Sequence, residues 1–263
     1  MSADSGNETA IDKPRTGASL RTVDVSAGYA GRPVVHGVSI NVGAGQVVSI
    51  VGPNGSGKST MLKSIVGVVK VLSGSVLLDG TDITNHAPED VARASVGYVP
   101  QIDDVFGPLT VKENLEMGGY LLPAREVAGA VDRVLTYFPK LGTMLGRRAA
   151  QLSGGERKML AMGRVLMLRP SLFVLDEPTA NLAPLIAMEL LHEHVRQLAV
   201  AGASVLIVEQ RAKAVLEISD HTYVLAGGRL RMEGSPTELA TSPDFVASFL
   251  GGGQHEQLPA TPG

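Results

Sequence analysis

The sequence predicts an α/β protein of two lobes, a strand-rich core interrupted by a helical subdomain. Three observations carry this expectation. Short β-branched runs bounded by glycine recur in the first and last parts of the chain. Between residue 110 and about residue 169 the apolar spacing lengthens to a helical period. Hydrophobic residues make up 44% of the 263 residues, and there are 31 glycines, which suits a packed core rather than a disordered chain.

In chain order, the polar, aperiodic stretch 1–19 reads as a loosely ordered tail. It lacks the apolar segment of a signal peptide. Val47–Val51 is a continuous β-branched run and reads as a buried strand. It leads through Gly52 into a helix expected over about 59–67. Residues 75–78 and Val96–Val99 read as further strands, and strand patterns return at 171–175, 204–208 and 222–225. Residues 252–263 read as a second loose tail. No apolar run approaches the ~20 residues needed to cross a bilayer. The net charge is −3 and no Lys/Arg cluster stands out, so no nucleic-acid partner is expected. The absence of cysteine excludes disulfides and thiolate metal sites and fits a reducing cytoplasm.

Three motifs carry chemistry. Gly52-Pro53-Asn54-Gly55-Ser56-Gly57-Lys58-Ser59-Thr60 matches the phosphate-binding loop pattern G-x-x-x-x-G-K-[ST], between a predicted strand and a predicted helix. Its glycines let backbone N–H groups close on phosphates, and the helix adds its positive N-terminal end. Lys58 brings a mobile charge to the β- and γ-phosphates, and the Ser59 hydroxyl is placed for Mg2+. Second, the apolar run Leu172-Phe173-Val174-Leu175 ends in Asp176-Glu177. Alone this could be an ordinary acid pair capping a turn. Beside a phosphate loop, Asp176 is suited to Mg2+ and Glu177 to polarising an attacking water. Third, Leu152-Ser153-Gly154-Gly155-Glu156 carries a helix-capping box in Ser153 and Glu156. Its bland reading is a helix start. The two glycines argue for uncovered backbone N–H groups and a second anion site. Met159, Met162 and Leu166 continue at helical spacing and read as core.

Taken together, Gly52–Thr60, Gln101, Leu152–Glu156 and Leu172–Glu177 resemble the nucleotide-binding subunits of ABC transporters over residues 20–251. The element between the two Walker motifs, LSGGE, is the specific one. Asn114-Leu115-Glu116-Met117-Gly118, Asn181-Leu182-Ala183-Pro184, Val208-Glu209-Gln210 and Phe249-Leu250-Gly251-Gly252 give a finer likeness. It is to the second ATP-binding subunit of branched-chain amino acid uptake systems, with urea and short-chain amide transporters as close relatives.

The resemblance implies a P-loop NTPase core over 20–100 and 164–251, with a mostly parallel sheet and an antiparallel β edge subdomain. It places the helical subdomain at about 101–163. It implies MgATP as substrate and cofactor, and two cassettes closing head to tail. Ser153, Gly154, Gly155 and Glu156 would then meet the γ-phosphate held by the partner. By the same resemblance Tyr29 stacks on adenine, the alternative being a half-buried strand-edge tyrosine, and Gln101 approaches Mg2+ and the water. The loop aspartate of the family pattern is Ala183 here, and the usual γ-phosphate histidine is Gln210. His221 lies eleven residues beyond Gln210, too far along the chain to substitute. The implied partners are integral-membrane permease subunits, a second ATPase subunit (identical or different) and, indirectly, a solute-binding protein. The expected place is cytoplasmic, peripheral on the inner face of the membrane. A soluble non-transport ABC ATPase and an ATP-gated assembly subunit with little turnover stand as the alternatives.

Overall fold

The computed structural model describes residues 16–102 and 104–250. Most of the two expected tails lies outside the described residues. The end of the first does not: Ala18 is buried and its N–H bonds to the Ser171 carbonyl at 3.2 Å. This part of the expected tail is therefore packed against the core, because a small apolar residue there closes the base of the sheet.

Two sheets form the core. The first is antiparallel, with β1 (Leu20–Tyr29) paired to β2 (Arg32–Val38), β3 (Asn41–Val42) and β5 (Lys70–Leu78), and β6 (Thr81–Asp82) outside β5. The second contains β4 (Val47–Val51), β7 (Val96–Val99), β8 (Leu172–Asp176), β9 (Ser204–Glu209), β10 (His221–Ala226) and β11 (Arg229–Gly234). Its order is β11-β10-β4-β9-β8-β7. Every pair is parallel except β10–β11, so the expected mostly parallel sheet is present, and the first sheet is the expected antiparallel β subdomain.

The strands β4, β8 and β9 are buried along their whole length, which is why they read as unbroken apolar runs. Their side chains alternate between two clusters. Phe173, Leu175, Val205 and Ile207 face the helical lobe. Leu172, Val174, Leu206 and Val208 face α1 (Lys58–Ile65) and the antiparallel sheet. Each fully buried side chain of this size stabilises the fold by roughly 1.5–3 kcal/mol, so the C-terminal strand ends are fixed points.

Between β5 and β7 lies α2 (Pro88–Arg93), and between β7 and β8 lie α3 (Val111–Gly118), α4 (Ala124–Tyr137), α5 (Pro139–Gly142) and α6 (Gly154–Leu166). Helix α3 starts at a Thr110–Glu113 capping box and α6 at the expected Ser153–Glu156 box, where the Glu156 N–H donates to Ser153 Oγ at 3.3 Å and the Ser153 N–H to Glu156 Oε2 at 2.9 Å. After β8 follow α7 (Pro184–Glu189), a π-helical turn at Leu190–Val195 and α8 (Arg196–Val200). After β9 comes α9 (Ala212–Leu216), and after β11 come α10 (Pro236–Thr241), α11 (Pro243–Phe245) and a π-helical turn at Val246–Leu250. Among the described residues, no helix is long and apolar enough to cross a membrane.

Candidate active site

The Gly52–Thr60 loop leaves the C-terminal end of β4 and closes at the N-terminus of α1. Gly57 is the N-cap of α1 with φ +97°, and a Cβ there would lie 2.7 Å from Val35 Cγ1. Only glycine satisfies both the backbone and the space. Strand β2 and the β10–β11 turn buttress the loop: the Gly228 N–H bonds to the Ser56 carbonyl at 3.0 Å, and the His36 N–H to the Gly228 carbonyl at 2.8 Å. Pro53, Asn54 and Gly55 are exposed, so the mouth of the loop faces solvent.

Lys58 turns back into this loop. Its ammonium donates to the Gly52 carbonyl at 2.9 Å and the Pro53 carbonyl at 3.2 Å, and lies 3.4 Å from Glu177 Oε1. Ser59 Oγ donates to Asp176 Oδ1 at 2.8 Å. Asp176 is buried at the end of β8, and Tyr98 of β7 donates to its other oxygen at 3.3 Å. Burial, with Asp176 alongside, pushes the Tyr98 phenol above its usual range, so it stays a protonated donor. Gln101 Nε2 donates to Glu177 Oε2 at 2.9 Å. Glu177 has φ 45°, a left-handed backbone that costs on the order of 1–2 kcal/mol for a non-glycine residue. Its N–H bond to the Val208 carbonyl at 3.0 Å pins that conformation. The structure thus brings Lys58, Ser59, Gln101, Asp176 and Glu177 together from three segments far apart in sequence.

Other expected site residues stand apart. Tyr29 is exposed at the end of β1, paired with Arg32 across the hairpin. Among the described residues, Ser153, Gly154, Gly155 and Glu156 make no hydrogen bond or ion pair to the phosphate loop. They border a separate cavity of about 260 Å³ with Leu182, Ala183 and Ile186. The two glycines also serve packing: a Cβ on Gly154 would meet Leu182 Cδ2 at 2.9 Å, and one on Gly155 would meet Ile186 Cγ2 at 2.7 Å. Gln210 is exposed just past β9. His221 opens β10 opposite Val48, at the start of the strand and away from the loop that leaves its far end, so it is no substitute for Gln210.

The neighbours of Gln210 were not legible in the sequence. Glu209 is buried, and its Oε1 accepts the Thr179 N–H at 2.9 Å. Burial raises its carboxyl above the ordinary range. The Arg211 guanidinium donates to the Leu182 carbonyl at 2.9 Å. Together they clamp both ends of the loop that follows the Asp176–Glu177 pair.

This constellation joins a lysine and a serine of the phosphate loop to two carboxylates at the end of a buried strand. The chain matches the ABC transporter family over residues 35–180. It belongs to that family. It is 40% identical over 233 residues to a probable branched-chain amino acid transport ATP-binding protein of Archaeoglobus fulgidus, covering 88% of this chain and 98% of that protein. It is 39% identical over 228 residues to the high-affinity branched-chain amino acid transport ATP-binding protein BraG of Pseudomonas aeruginosa, covering 87% and 97%. Among solved structures it resembles the ADP conformation of MJ1267, an ATP-binding cassette of an ABC transporter. That likeness has a TM-score of 0.80 and 33% identity, and covers 90% of this chain and all of the other. The cassette is an ATP-hydrolysing one of the ABC type.

Proposed function

We propose that this chain is the ATP-hydrolysing subunit of an ABC importer for branched-chain amino acids. The observation that carries the catalytic part is the convergence of Lys58, Ser59 and Gln101 on the carboxylates of Asp176 and Glu177. The cargo rests on the relatives, which are described as branched-chain amino acid transport proteins. Those descriptions do not favour a soluble, non-transport role.

The phosphate loop and the α1 N-terminus receive the β- and γ-phosphates, with Lys58 transferring its ammonium from the loop carbonyls to phosphate oxygens. Tyr29 offers a ring face to the adenine. Mg2+ fits the donor set: a hydroxyl and a carboxylate oxygen lie 2.8 Å apart, with the Gln101 amide adjacent through Glu177. Ser59, Asp176 and Gln101 would hold it, and when bound it draws charge from the phosphate oxygens. Glu177 accepts a hydrogen bond from the attacking water. The water oxygen bonds to the γ-phosphorus as the bond to the β,γ-bridging oxygen breaks, leaving ADP and inorganic phosphate. Gln210 supplies a neutral donor near the γ-phosphate.

In this reading Ser153–Glu156, which makes no hydrogen bond or ion pair to the chain's own phosphate loop among the described residues, serves the nucleotide of a second cassette. Replacing Gly154 by valine should therefore lower turnover on the order of a hundredfold, the scale of losing preorganised backbone donors, while ATP affinity of the isolated chain stays within about twofold. Calorimetry and steady-state hydrolysis on the same sample decide this. Equal losses in both would reduce the motif to a helix cap.

The permease docks in the groove of about 340 Å³ between α2, α3, α6 and β7, whose rim exposes Val68, Met117 and Tyr120. The test is reconstitution in liposomes with branched-chain permease subunits and their binding protein. Leucine-loaded binding protein should stimulate ATP hydrolysis and ATP-dependent uptake. Stimulation by urea or a short amide, and none by leucine, would overturn the cargo.

A further inference from the structure

Helix α6 does more than present the Ser153–Glu156 motif. One turn into it stands Lys158, which is 6% exposed. Its ammonium lies 2.7 Å from the Gln101 carbonyl, 3.5 Å from the Pro100 carbonyl and 2.7 Å from Asp104 Oδ2. Two of its donors go to those carbonyls and its charge pairs with Asp104, so the ammonium is committed to one short loop. A second cation of α6 grips the same loop. The Arg164 guanidinium donates to the Asp104 carbonyl and lies over the Phe106 ring at 4.4 Å from its centroid. The loop carries Gln101, whose amide touches Glu177. A continuous path of contacts therefore runs from α6 through Lys158 and Gln101 to Glu177.

We propose that Lys158 is a positioning residue for hydrolysis, fixing the backbone of Gln101 so that its amide reaches Glu177 and the reacting water. This rests on the ATPase reading above. Among the described residues Lys158 makes no hydrogen bond or ion pair to the phosphate loop, so its effect belongs to turnover and not to ATP affinity. It also ties the helix that serves a partner's nucleotide to the glutamine that serves the chain's own. A displacement of α6 moves Gln101 with it.

The competing account is that Lys158 merely holds the loop folded. Epistasis with Gln101 separates the two. Lys158→Met should lower kcat by about tenfold or more, with ATP affinity and KM within about twofold, since small misplacements near a reacting centre are costly. In a Gln101→Ala background, which has no amide left to position, the same substitution should change the residual kcat by less than about twofold. Lys158→Arg keeps the charge but moves its donors. It should show a smaller loss in the wild-type background, and that loss should likewise vanish beside Gln101→Ala. It decides the matter if Lys158→Met fails to fold. A loss of the same size in both backgrounds, or a loss confined to ATP affinity, would overturn the proposal. Absence of hydrolysis in the wild-type chain assembled with its permease would instead overturn the ATPase reading.

Discussion

Lys58→Ala is expected to weaken ATP binding by about a hundredfold. A hydrogen bond to a charged group contributes roughly 1.5–3 kcal/mol, and an ammonium between the β- and γ-phosphates makes two. Alone that would give about 10² to 10⁴ in affinity. The lower end applies, because Lys58 gives up real contacts on binding: the Gly52 and Pro53 carbonyls and the Glu177 carboxylate at 3.4 Å. Their loss offsets part of the gain. The substitution also leaves Glu177 without its nearby cation, and the uncompensated carboxylate repels the triphosphate. The fold should survive, since Met61, Leu62 and Ile65 still anchor α1 and Ser59 still holds Asp176. Isothermal calorimetry with MgATP is the measurement. An affinity equal to that of the wild-type chain, in a protein with an unchanged circular dichroism spectrum, would remove Lys58 from the site.

What the sequence revealed and what it hid follow from the range of the forces involved. The strands β4, β7, β8, β9 and β10 were legible because burial on both faces demands continuous apolar runs, a local signal. The capping box at Ser153 is local too, closing within four residues; the equally local box at Thr110 emerges only with the structure. Of the antiparallel sheet, only the last part of β5 was read. Strand β1 mixes buried and exposed positions over bulged pairings with β2 and β5, which blurs a period of two. Within the site, the phosphate loop and the two carboxylates carry strong motifs. Their supports do not. Tyr98 looks like any strand tyrosine until the parallel pairing of β7 with β8 brings its hydroxyl to Asp176. Lys158 meets Gln101 across 57 residues, and Arg211 meets Leu182 across 29. No spacing rule reports contacts set by how two elements pack. In Gly154 and Gly155 the sequence shows a reason to bare N–H groups; their second reason, the close approach of Leu182 and Ile186, appears only once α6 and α7 are packed.

Glu177→Gln should separate binding from chemistry more sharply than any other change in the chain. The amide keeps the size of the carboxylate and can still accept a hydrogen bond from water, but it lacks the negative charge that polarises it. Loss of a positioned base typically costs about 10²- to 10⁴-fold, so hydrolysis should fall to a small residue. ATP affinity should hold or rise. A negative charge leaves the pocket that receives the triphosphate, and the ammonium 3.4 Å away is freed for phosphate. The phosphate loop should not collapse, because Lys58 retains the Gly52 and Pro53 carbonyls. With binding intact and turnover blocked, two cassettes joined through unhydrolysed ATP should accumulate. Size-exclusion chromatography in MgATP would show a dimer for a chain that pairs with itself, and a complex with the other subunit for a chain that does not. The hydrolysis rate is common to both cases and is therefore the deciding readout. A Glu177→Gln protein that turns over ATP at the wild-type rate would show that the carboxylate closing β8 is structural and that the water is activated elsewhere.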